Sequence, residues 1–330
     1  KGTVVYRNLH LQEEAIFHWD LCSDLQKKKG TCLKARKATF SVTDASYLNV
    51  SRHYCLCTTN RSLHFIHASS TAQWETFRLT ELPTVPTCLE NNFLPTNKAK
   101  TCELFIGDHQ GNVYILTFFF PRTLLFARTY SIGTQIIKFK DLKLHDNYVK
   151  CKVKKKVHND VVDKIQCTSQ PNILLSNSKL DPQKSLVLWN FNSNGFLTFH
   201  HSAGVTCFDF SQTLSVVATG SKDFSVRLWN VKCASKPITI LVGHRAVIAE
   251  VLIHEGKSNV LSICREGEVR LFDLKTGKCL HTVGIRLPLS LHQLQFGNSA
   301  LHVPHHDNDH VLVTVSDLTT KICLDDLEVR

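Results

Sequence analysis

Short runs of apolar residues recur along the whole chain and are separated by polar turns. Residues 205–210 (VTCFDF) alternate in the way that is typical of a β-strand with one face buried against a neighbouring layer. Helical periodicity is nearly absent from the rest of the sequence. The pattern therefore predicts an all-β protein made of many short strands.

A recurring motif marks some of these runs, a strand that ends in Trp or another large apolar residue. The best copy is residues 225–230 (SVRLWN), and further copies are residues 185–190 (SLVLWN) and 268–273 (EVRLFD). Trp229 lies 40 residues after Trp189, and Phe272 lies 43 residues after Trp229. A period of roughly 40 residues is typical of repeats that each contain about four strands.

Weaker copies of the motif extend the series in both directions. They lie at residues 16–20, 62–66, 112–116 and 320–323. The Trp-equivalent positions are then 19, 66, 116, 189, 229, 272 and 323. Because a ring of such sheets buries their faces and leaves only short edges, the seven copies predict one seven-bladed β-propeller over residues 1–330.

Further features complete a resemblance to the WD40 repeat. A Gly-His pair ends at His244 before a strand-like run, and Asp223 lies in the turn before the best copy of the motif. In WD40 blades an Asp, a His, a Ser or Thr and the Trp form hydrogen bonds across strands, so their buried polar groups are satisfied. The resemblance implies structural rather than ligand-binding roles for Trp189, Trp229, Phe272, His244 and Asp223.

One interval of the repeat is too long, because positions 116 and 189 are 73 residues apart. The excess falls at about 130–157 and is rich in lysine. Long segments between elements are usually functional or disordered. We expect either a basic arm that contacts an acidic surface or a solvated loop without a dedicated partner. The candidate contacts are Lys150, Lys152, Lys154, Lys155 and Lys156.

The formal net charge of +11 favours an acidic partner, such as an acidic protein surface, an anionic lipid or a nucleic acid. Nucleic acid is not expected, because arginine is missing between Arg128 and Arg227 and few aromatic residues accompany the lysines. A membrane partner is not expected either, since no apolar run approaches the roughly 18 residues that span a bilayer.

Thirteen cysteines are scattered through the chain. Cys207, Cys264 and Cys323 lie inside apolar strand-like runs, where reduced thiols act as small hydrophobic side chains. An odd number of cysteines in a long chain argues against a disulfide framework. We therefore expect a cytoplasmic location.

Motifs that carry catalysis or bind cofactors do not occur in the sequence, neither a glycine-rich phosphate loop nor a metalloprotease or nucleophile-elbow pattern. No catalytic residue, cofactor or metal site is therefore expected. Cys55 and Cys57 lie in one strand-like run, where we expect the thiols to face opposite sides and not to share a metal. The densest histidine tract is interpreted as a polar turn and contains His302, His305, His306 and His310.

A closer resemblance covers about residues 75–283. It is most specific in the order of residues 158–162 (HNDVV), 185–189 (SLVLW), 204–209 (GVTCFD), 227–230 (RLWN), 235–238 (SKPI) and 241–244 (LVGH). This order resembles large WD-repeat proteins of motile cilia and sperm flagella. The group includes proteins with an EF-hand region before the propellers and the WD-repeat protein encoded on the fly Y chromosome.

The resemblance implies a non-enzymatic interaction scaffold of the ciliary or flagellar axoneme. The net charge of +11 is compatible with the acidic surface of tubulin, which we therefore expect as one partner. It also leads us to expect one propeller of a longer protein, with a second propeller or EF-hands elsewhere. A WD40 adaptor that reads a peptide at the central channel is an alternative, and an enzyme is a remote one. The ring-closing strand is left open between residues 3–6 and 327–330.

Overall fold

A computed structural model describes most of the chain. It covers residues 2–7, 13–19, 40–67, 75–92, 101–119, 134–168, 173–181, 183–191, 195–285, 299–302, 310–315 and 318–324. Regular structure in these ranges is almost entirely β-strand, which confirms the predicted all-β fold class. The one helical element among them is a 3-10 helix over Phe139–His145. No helix in the described ranges is long and apolar enough to cross a bilayer.

Two compact units divide the chain, Lys1–Lys156 and Val157–Arg330. The first unit contains a two-stranded, a five-stranded and a four-stranded sheet. Its strands are β1 (Gly2–Arg7), β2 (Glu13–Trp19), β3 (Val42–Leu48), β4 (His53–Thr58), β5 (Ser62–His67), β6 (Glu75–Thr80), β7 (Pro86–Asn92), β8 (Thr101–Asp108), β9 (Val113–Phe119), β10 (Gln135–Lys138) and β11 (Val149–Lys154).

Strand order in the first unit departs from a simple repeat. The five-stranded sheet has the order β10-β6-β5-β4-β3, and β10 runs parallel to β6 whereas the other pairs are antiparallel. The four-stranded sheet has the order β11-β9-β8-β7 and is antiparallel throughout. β1 pairs with β2 and contains residues 3–6, whereas residues 327–330 lie outside the described ranges.

The second unit repeats a simpler pattern. It contains three antiparallel sheets of four consecutive strands and one sheet of three. Its strands are β12 (Lys164–Thr168), β13 (Ile173–Asn177), β14 (Leu186–Asn190), β15 (Gly195–Thr198), β16 (Val205–Ser211), β17 (Val216–Ser221), β18 (Val226–Asn230), β19 (Thr239–Leu241), β20 (Ile248–His254), β21 (Asn259–Cys264), β22 (Glu268–Asp273), β23 (Cys279–Gly284), β24 (Ser299–His302), β25 (His310–Val315) and β26 (Leu318–Cys323).

The recurring sequence motif marks the same strand in each larger sheet. Positions 66, 116, 189, 229 and 272 lie in β5, β9, β14, β18 and β22, each the third strand of its sheet in chain order. Positions 19 and 323 lie in β2 and β26. The number of seven blades in one propeller stays a prediction.

The long interval of the repeat has a structural explanation. After β9 the chain adds β10 to the preceding sheet, forms the 3-10 helix, and returns as β11 beside β9. Residues 134–154 therefore extend two sheets instead of forming one solvated loop. The interval is longer because β10 and the 3-10 helix come before β11, which is the outer strand beside β9. In the four-stranded sheets of the second unit, the outer strand follows the third strand directly.

Hydrophobic cores lie between consecutive sheets within each unit. In the first unit the core contains Phe65, Phe77 and Phe118, all nearly inaccessible to solvent. In the second unit Phe208 and Trp229 belong to the core between the first two sheets. The sheets are therefore buried on both faces at their centres, which explains why β13, β17 and β21 consist largely of buried residues.

Gly220 in β17 shows how closely the second and third sheets of this unit approach. A Cβ atom at this position would lie 2.5 Å from Cys207 Sγ and 2.5 Å from Ile248 Cγ2. A side chain there would force Cys207 or Ile248 to move. Glycine at this position is thus explained by sheet packing.

Candidate functional site

Three buried histidines stand at equal intervals in the second unit, His158, His201 and His244, each 43 residues after the last. Each lies between the outer strand of one sheet and the first strand of the next sheet. Each contacts a serine in the second strand of that next sheet. His158 Nε2 lies 2.8 Å from Ser176 Oγ, and His244 Nε2 lies 2.7 Å from Ser262 Oγ.

The third of these contacts is longer, because His201 Nδ1 lies 3.5 Å from Ser221 Oγ. The other ring nitrogen of His201 contacts the Arg227 guanidinium. Burial lowers the pKa of all three histidines to about 4, so the rings are neutral at pH 7. Buried neutral rings with fixed hydrogen bonds fasten the loops to the sheets and are poorly suited to exchange protons with a substrate.

The Trp-equivalent residues of the five larger sheets are buried. Trp229 is 1% exposed, and its Nε1 donates to Thr219 Oγ1 at 2.8 Å. Trp189 is buried and its ring stacks on Phe196 with centroids 5.6 Å apart. Phe272 is buried and has no N–H to donate such a bond. These positions show how blades are held together and offer no surface to a ligand.

Asp223 lies in the turn before β18 and holds that turn together. Its carboxylate accepts hydrogen bonds from Ser225 Oγ at 2.6 Å and from Arg227 Nη2 at 2.7 Å. Partial burial raises the pKa of Asp223, but the bonds from Arg227 and Ser225 outweigh this and hold it below its usual range. Asp223 is therefore ionised and paired at neutral pH.

The same turn position has a left-handed backbone in four sheets. Two residues before a buried apolar residue of the third strand, φ is 61° at Arg61, 79° at Gly111, 68° at Phe224 and 81° at Gly267. Glycine adopts this conformation without steric cost, whereas a bulky side chain is strained there. Phe224 is nevertheless an aromatic residue, and it is 41% exposed. Strain at an exposed aromatic side chain points to a role outside folding.

Other exposed apolar side chains flank the same edge of the second unit, which we call the turn edge. It comprises the described residues of three turns and one loop, namely 178–181 with 183–185, 222–225, 265–267 and 242–247. Leu180 is 64% and Val242 69% exposed. Lys222 Nζ donates to the backbone carbonyl of Lys179 at 3.0 Å and so joins two adjacent turns. The turn edge thus presents apolar and basic groups together, as many protein-binding surfaces do.

A polar network joins the first strands of three consecutive sheets. Lys164 of β12 donates to Glu250 of β20 at 2.7 Å and to the carbonyl of Phe208 in β16 at 3.0 Å. Asp209 accepts from the Gln166 amide at 3.1 Å and from the backbone of the third sheet. Burial lowers the pKa of Lys164, but Glu250 and Asp209 outweigh this effect and the pKa is raised. All these charges are engaged with one another.

The predicted lysine contacts lie on an outer strand of the first unit. In β11, Lys150, Lys152 and Lys154 alternate and share one face, and Lys155 and Lys156 follow in a turn. Lys150 Nζ lies 5.4 Å from the centre of the Phe119 ring. Over the described ranges, Lys150, Lys152, Lys155 and Lys156 form no ion pair with a carboxylate. The strand therefore carries positive charge that is not neutralised within those ranges.

Cys55 and Cys57 require a correction. The expectation that their thiols face opposite sides is wrong, because alternate residues of a strand share a face and both thiols belong to one core. Burial raises the pKa of Cys57 to about 12 and raises that of Cys55 well above its usual range, which keeps both thiols protonated. Across the described ranges no three His, Cys, Asp or Glu residues are grouped as metal ligands. His305 and His306 lie outside those ranges.

An open apolar cavity of about 430 Å³ lies between the first two sheets of the second unit. Phe196, Phe210 and Leu188 line it, and among the described residues Lys232 is the one ionisable residue in its wall. The described part of the wall contains no carboxylate, imidazole or thiol. Acid–base catalysis needs such groups in hydrogen-bond reach of a substrate, so this cavity is not built for it.

Comparison with known proteins agrees with the fold. Residues 193–230, which contain β15 to β18 and Trp229, match the family described as "WD domain, G-beta repeat". The chain therefore contains a WD repeat, and its consecutive four-stranded antiparallel sheets are those of a WD40 β-propeller. WD-repeat domains serve in general as protein-interaction scaffolds.

The individual relatives share the name "WD repeat-containing protein on Y chromosome". The one from Anopheles gambiae is 26% identical over 122 residues, which is 36% of this chain and 11% of the relative. Those from Drosophila grimshawi and Drosophila mojavensis are each 23% identical, over 212 and 209 residues, covering 62% and 60% of this chain. The matches span 18% and 17% of these two fly relatives.

Proposed function

We propose that this chain is a non-enzymatic interaction scaffold that holds an acidic protein surface through Lys150, Lys152, Lys154, Lys155 and Lys156. One observation carries the proposal, the row of lysines on an outer strand, of which Lys150 and Lys152 form no ion pair with a carboxylate in the described ranges. Charge of one sign on an open surface speeds association with an oppositely charged partner and selects against like-charged ones. The net charge of +11 acts in the same direction.

The setting that we propose is the axoneme of a motile cilium or sperm flagellum, hence cytoplasm and cytoskeleton. Support comes from the resemblance of residues 158–283 to WD-repeat proteins of these organelles. Microtubules offer an acidic surface that a lysine row can bind, so tubulin is the specific partner proposed. Nucleic acid is not proposed, because residues 150–156 contain no arginine and no aromatic stacking platform.

A microtubule pelleting assay tests this proposal. We expect replacement of the five lysines by glutamine to weaken binding about tenfold or more near 0.15 M salt, because the attraction depends on these charges. A control variant removes five exposed lysines elsewhere and so matches the change in net charge. These are Lys143, Lys232, Lys236, Lys275 and Lys278. Equal loss in both variants, or no binding by the unchanged chain, contradicts the tubulin proposal.

A second candidate function is a WD40 adaptor that binds a peptide at the turn edge. The observation that favours it is Phe224, an exposed aromatic residue held at φ 68° where two other sheets have glycine. Aromatic anchors beside basic residues are typical of binding hot spots. A strained residue retained at a cost in stability is expected to have a use outside folding.

Replacing Phe224 by glycine should separate folding from binding. We expect Phe224→Gly to raise the free energy of unfolding by about 0.5–1 kcal/mol. Glycine relieves the strain of the left-handed backbone, and the greater flexibility of the unfolded chain offsets part of this stabilisation. The same variant should lose the peptides that the unchanged chain retains on an array. Phe196→Ala, which removes another exposed aromatic ring, is the control. Lower stability with unchanged peptide retention would rule out a binding role for Phe224.

A further inference from the structure

β11 leaves one edge without a strand partner. β9 pairs with it on one side, and no strand in the described ranges pairs with it on the other. Phe119 N donates to the carbonyl of Tyr148 at 2.8 Å, which fixes the alternation along the pair. Tyr148 and every second residue after it, Lys150, Lys152 and Lys154, therefore direct their backbone groups toward β9. The backbone groups of Val149, Cys151 and Val153 therefore point away from the sheet.

The side chains of β11 add a charge pattern to this open edge. Lys150, Lys152 and Lys154 stand opposite Thr117, Ile115 and Val113 of β9, all on one face. Alternate residues of a strand are about 6.6–6.8 Å apart, so the three side chains form a straight row. Val153, on the other face, is 41% exposed. Val149 is buried, so the outward backbone groups of Cys151 and Val153 occupy the same edge as the lysine row.

Lysines on an edge strand normally prevent another strand from pairing there. That protection depends on charge. A neutral or basic strand that paired with β11 would cover the lysines without neutralising them, whereas a strand with carboxylates at alternate positions would neutralise them. It would place each carboxylate across from a lysine, where opposite charges stabilise a strand pair.

We propose that β11 binds an acidic, extended polypeptide segment of a partner as an added strand. The inference rests on the proposed function and specifies how the lysine row is used. Outward backbone groups of Cys151 and Val153 supply the hydrogen bonds, and alternate carboxylates face Lys150, Lys152 and Lys154. An acidic helix could meet the lysines as well, but it has no free backbone groups for the strand edge.

Binding of two synthetic peptides to the full chain tests the proposal. The first is a ten-residue peptide with glutamate at every second position and threonine or valine between. The second has the same composition with the glutamates in one block. We expect the alternating peptide to bind about tenfold more tightly, since only it matches the period of the row. A third peptide, N-methylated on alternate amides, should not bind because it lacks the donors.

Two variants separate the charge from the strand edge. Lys150→Glu, Lys152→Glu and Lys154→Glu together should abolish binding of the alternating peptide. Val153→Pro removes an outward N–H without breaking the ladder to β9 and should weaken binding about tenfold. Thr282→Pro is the matched control, because its N–H also points outward from an outer strand, β23, that lacks a lysine row.

The outcomes distinguish this inference from the proposed function. If the charge reversal abolishes binding while Val153→Pro, the N-methylated peptide and the block peptide behave like their controls, the lysines bind acidic partners without strand addition and the inference is wrong. If the charge reversal changes nothing, both are wrong. Equal affinity for the two unmodified peptides also overturns strand addition.

Discussion

Acidification from pH 7 to pH 4 is expected to remove much of the stability of the second unit. His158, His201 and His244 are neutral in the folded chain because burial lowers their pKa values to about 4, against 6.5 in an unfolded chain. Between these values the unfolded chain binds more protons, so the free energy of unfolding falls as the pH falls. Above pH 6.5 no such loss is expected. Each histidine accounts for on the order of 3 kcal/mol.

Denaturant unfolding followed by circular dichroism at half-unit pH steps measures this loss. Carboxylates with lowered pKa, such as Asp223, lose their contribution only near and below their unfolded value of 3.8, so they fall in a lower window. His244→Gln keeps a polar group near Ser262 and removes one proton site. We expect this variant to be less stable at pH 7 and to have a shallower pH slope between 4 and 6.5. An unchanged slope would show that the histidines do not couple protonation to folding.

Truncating Trp229 is expected to cause the largest loss from a single substitution. Its indole is 1% exposed, packs edge-on against Phe199 with centroids 5.5 Å apart, and donates to Thr219. Removing a buried aromatic side chain costs about 3–5 kcal/mol, and the lost hydrogen bond adds about 1 kcal/mol. We therefore expect Trp229→Ala to lower the free energy of unfolding by several kcal/mol in chemical denaturation.

Two companion variants show where that loss comes from. Trp229→Phe keeps most of the packing but not the donor to Thr219, so it should cost about 1–2 kcal/mol. Phe196→Ala removes a ring that is 43% exposed and should cost less than about 1 kcal/mol. A cost for Trp229→Ala no greater than that for Phe196→Ala would mean that the core between these sheets does not depend on the repeat's Trp.

The sequence predicted the third strand of each larger sheet because the repeat places its strongest local signal there. Trp189, Trp229 and Phe272 end short strands with β-forming residues, and their spacing needs no tertiary information. The addition of β10 and β11 to two different sheets could not be predicted in the same way. Its pairings join Gln135 to Phe77 and Lys150 to Thr117, and strand pairing over such distances leaves no local pattern.

The candidate sites likewise differ in whether local sequence patterns could predict them. The lysine row was visible as composition, but its position on an outer strand depended on the pairing of β11. Lys164 and Glu250 are 86 residues apart, and nothing near either residue indicates the other. Phe224 could have been found, since comparison of the turns shows glycine at Gly111 and Gly267 in the equivalent place. Cys55 and Cys57 were assigned to opposite faces by a wrong use of strand alternation.

Zero-length carbodiimide cross-linking of the native full-length protein in its cellular assembly tests the scaffold proposal most directly. The reagent joins an amine to a carboxylate only where the two are in contact, so it reports ion pairs between proteins. We expect cross-links from Lys150, Lys152 and Lys154 to neighbouring glutamates or aspartates in an acidic segment of one partner. Cross-links confined to other surfaces, with these lysines recovered unmodified, would contradict the proposal that β11 is where this protein holds its partner.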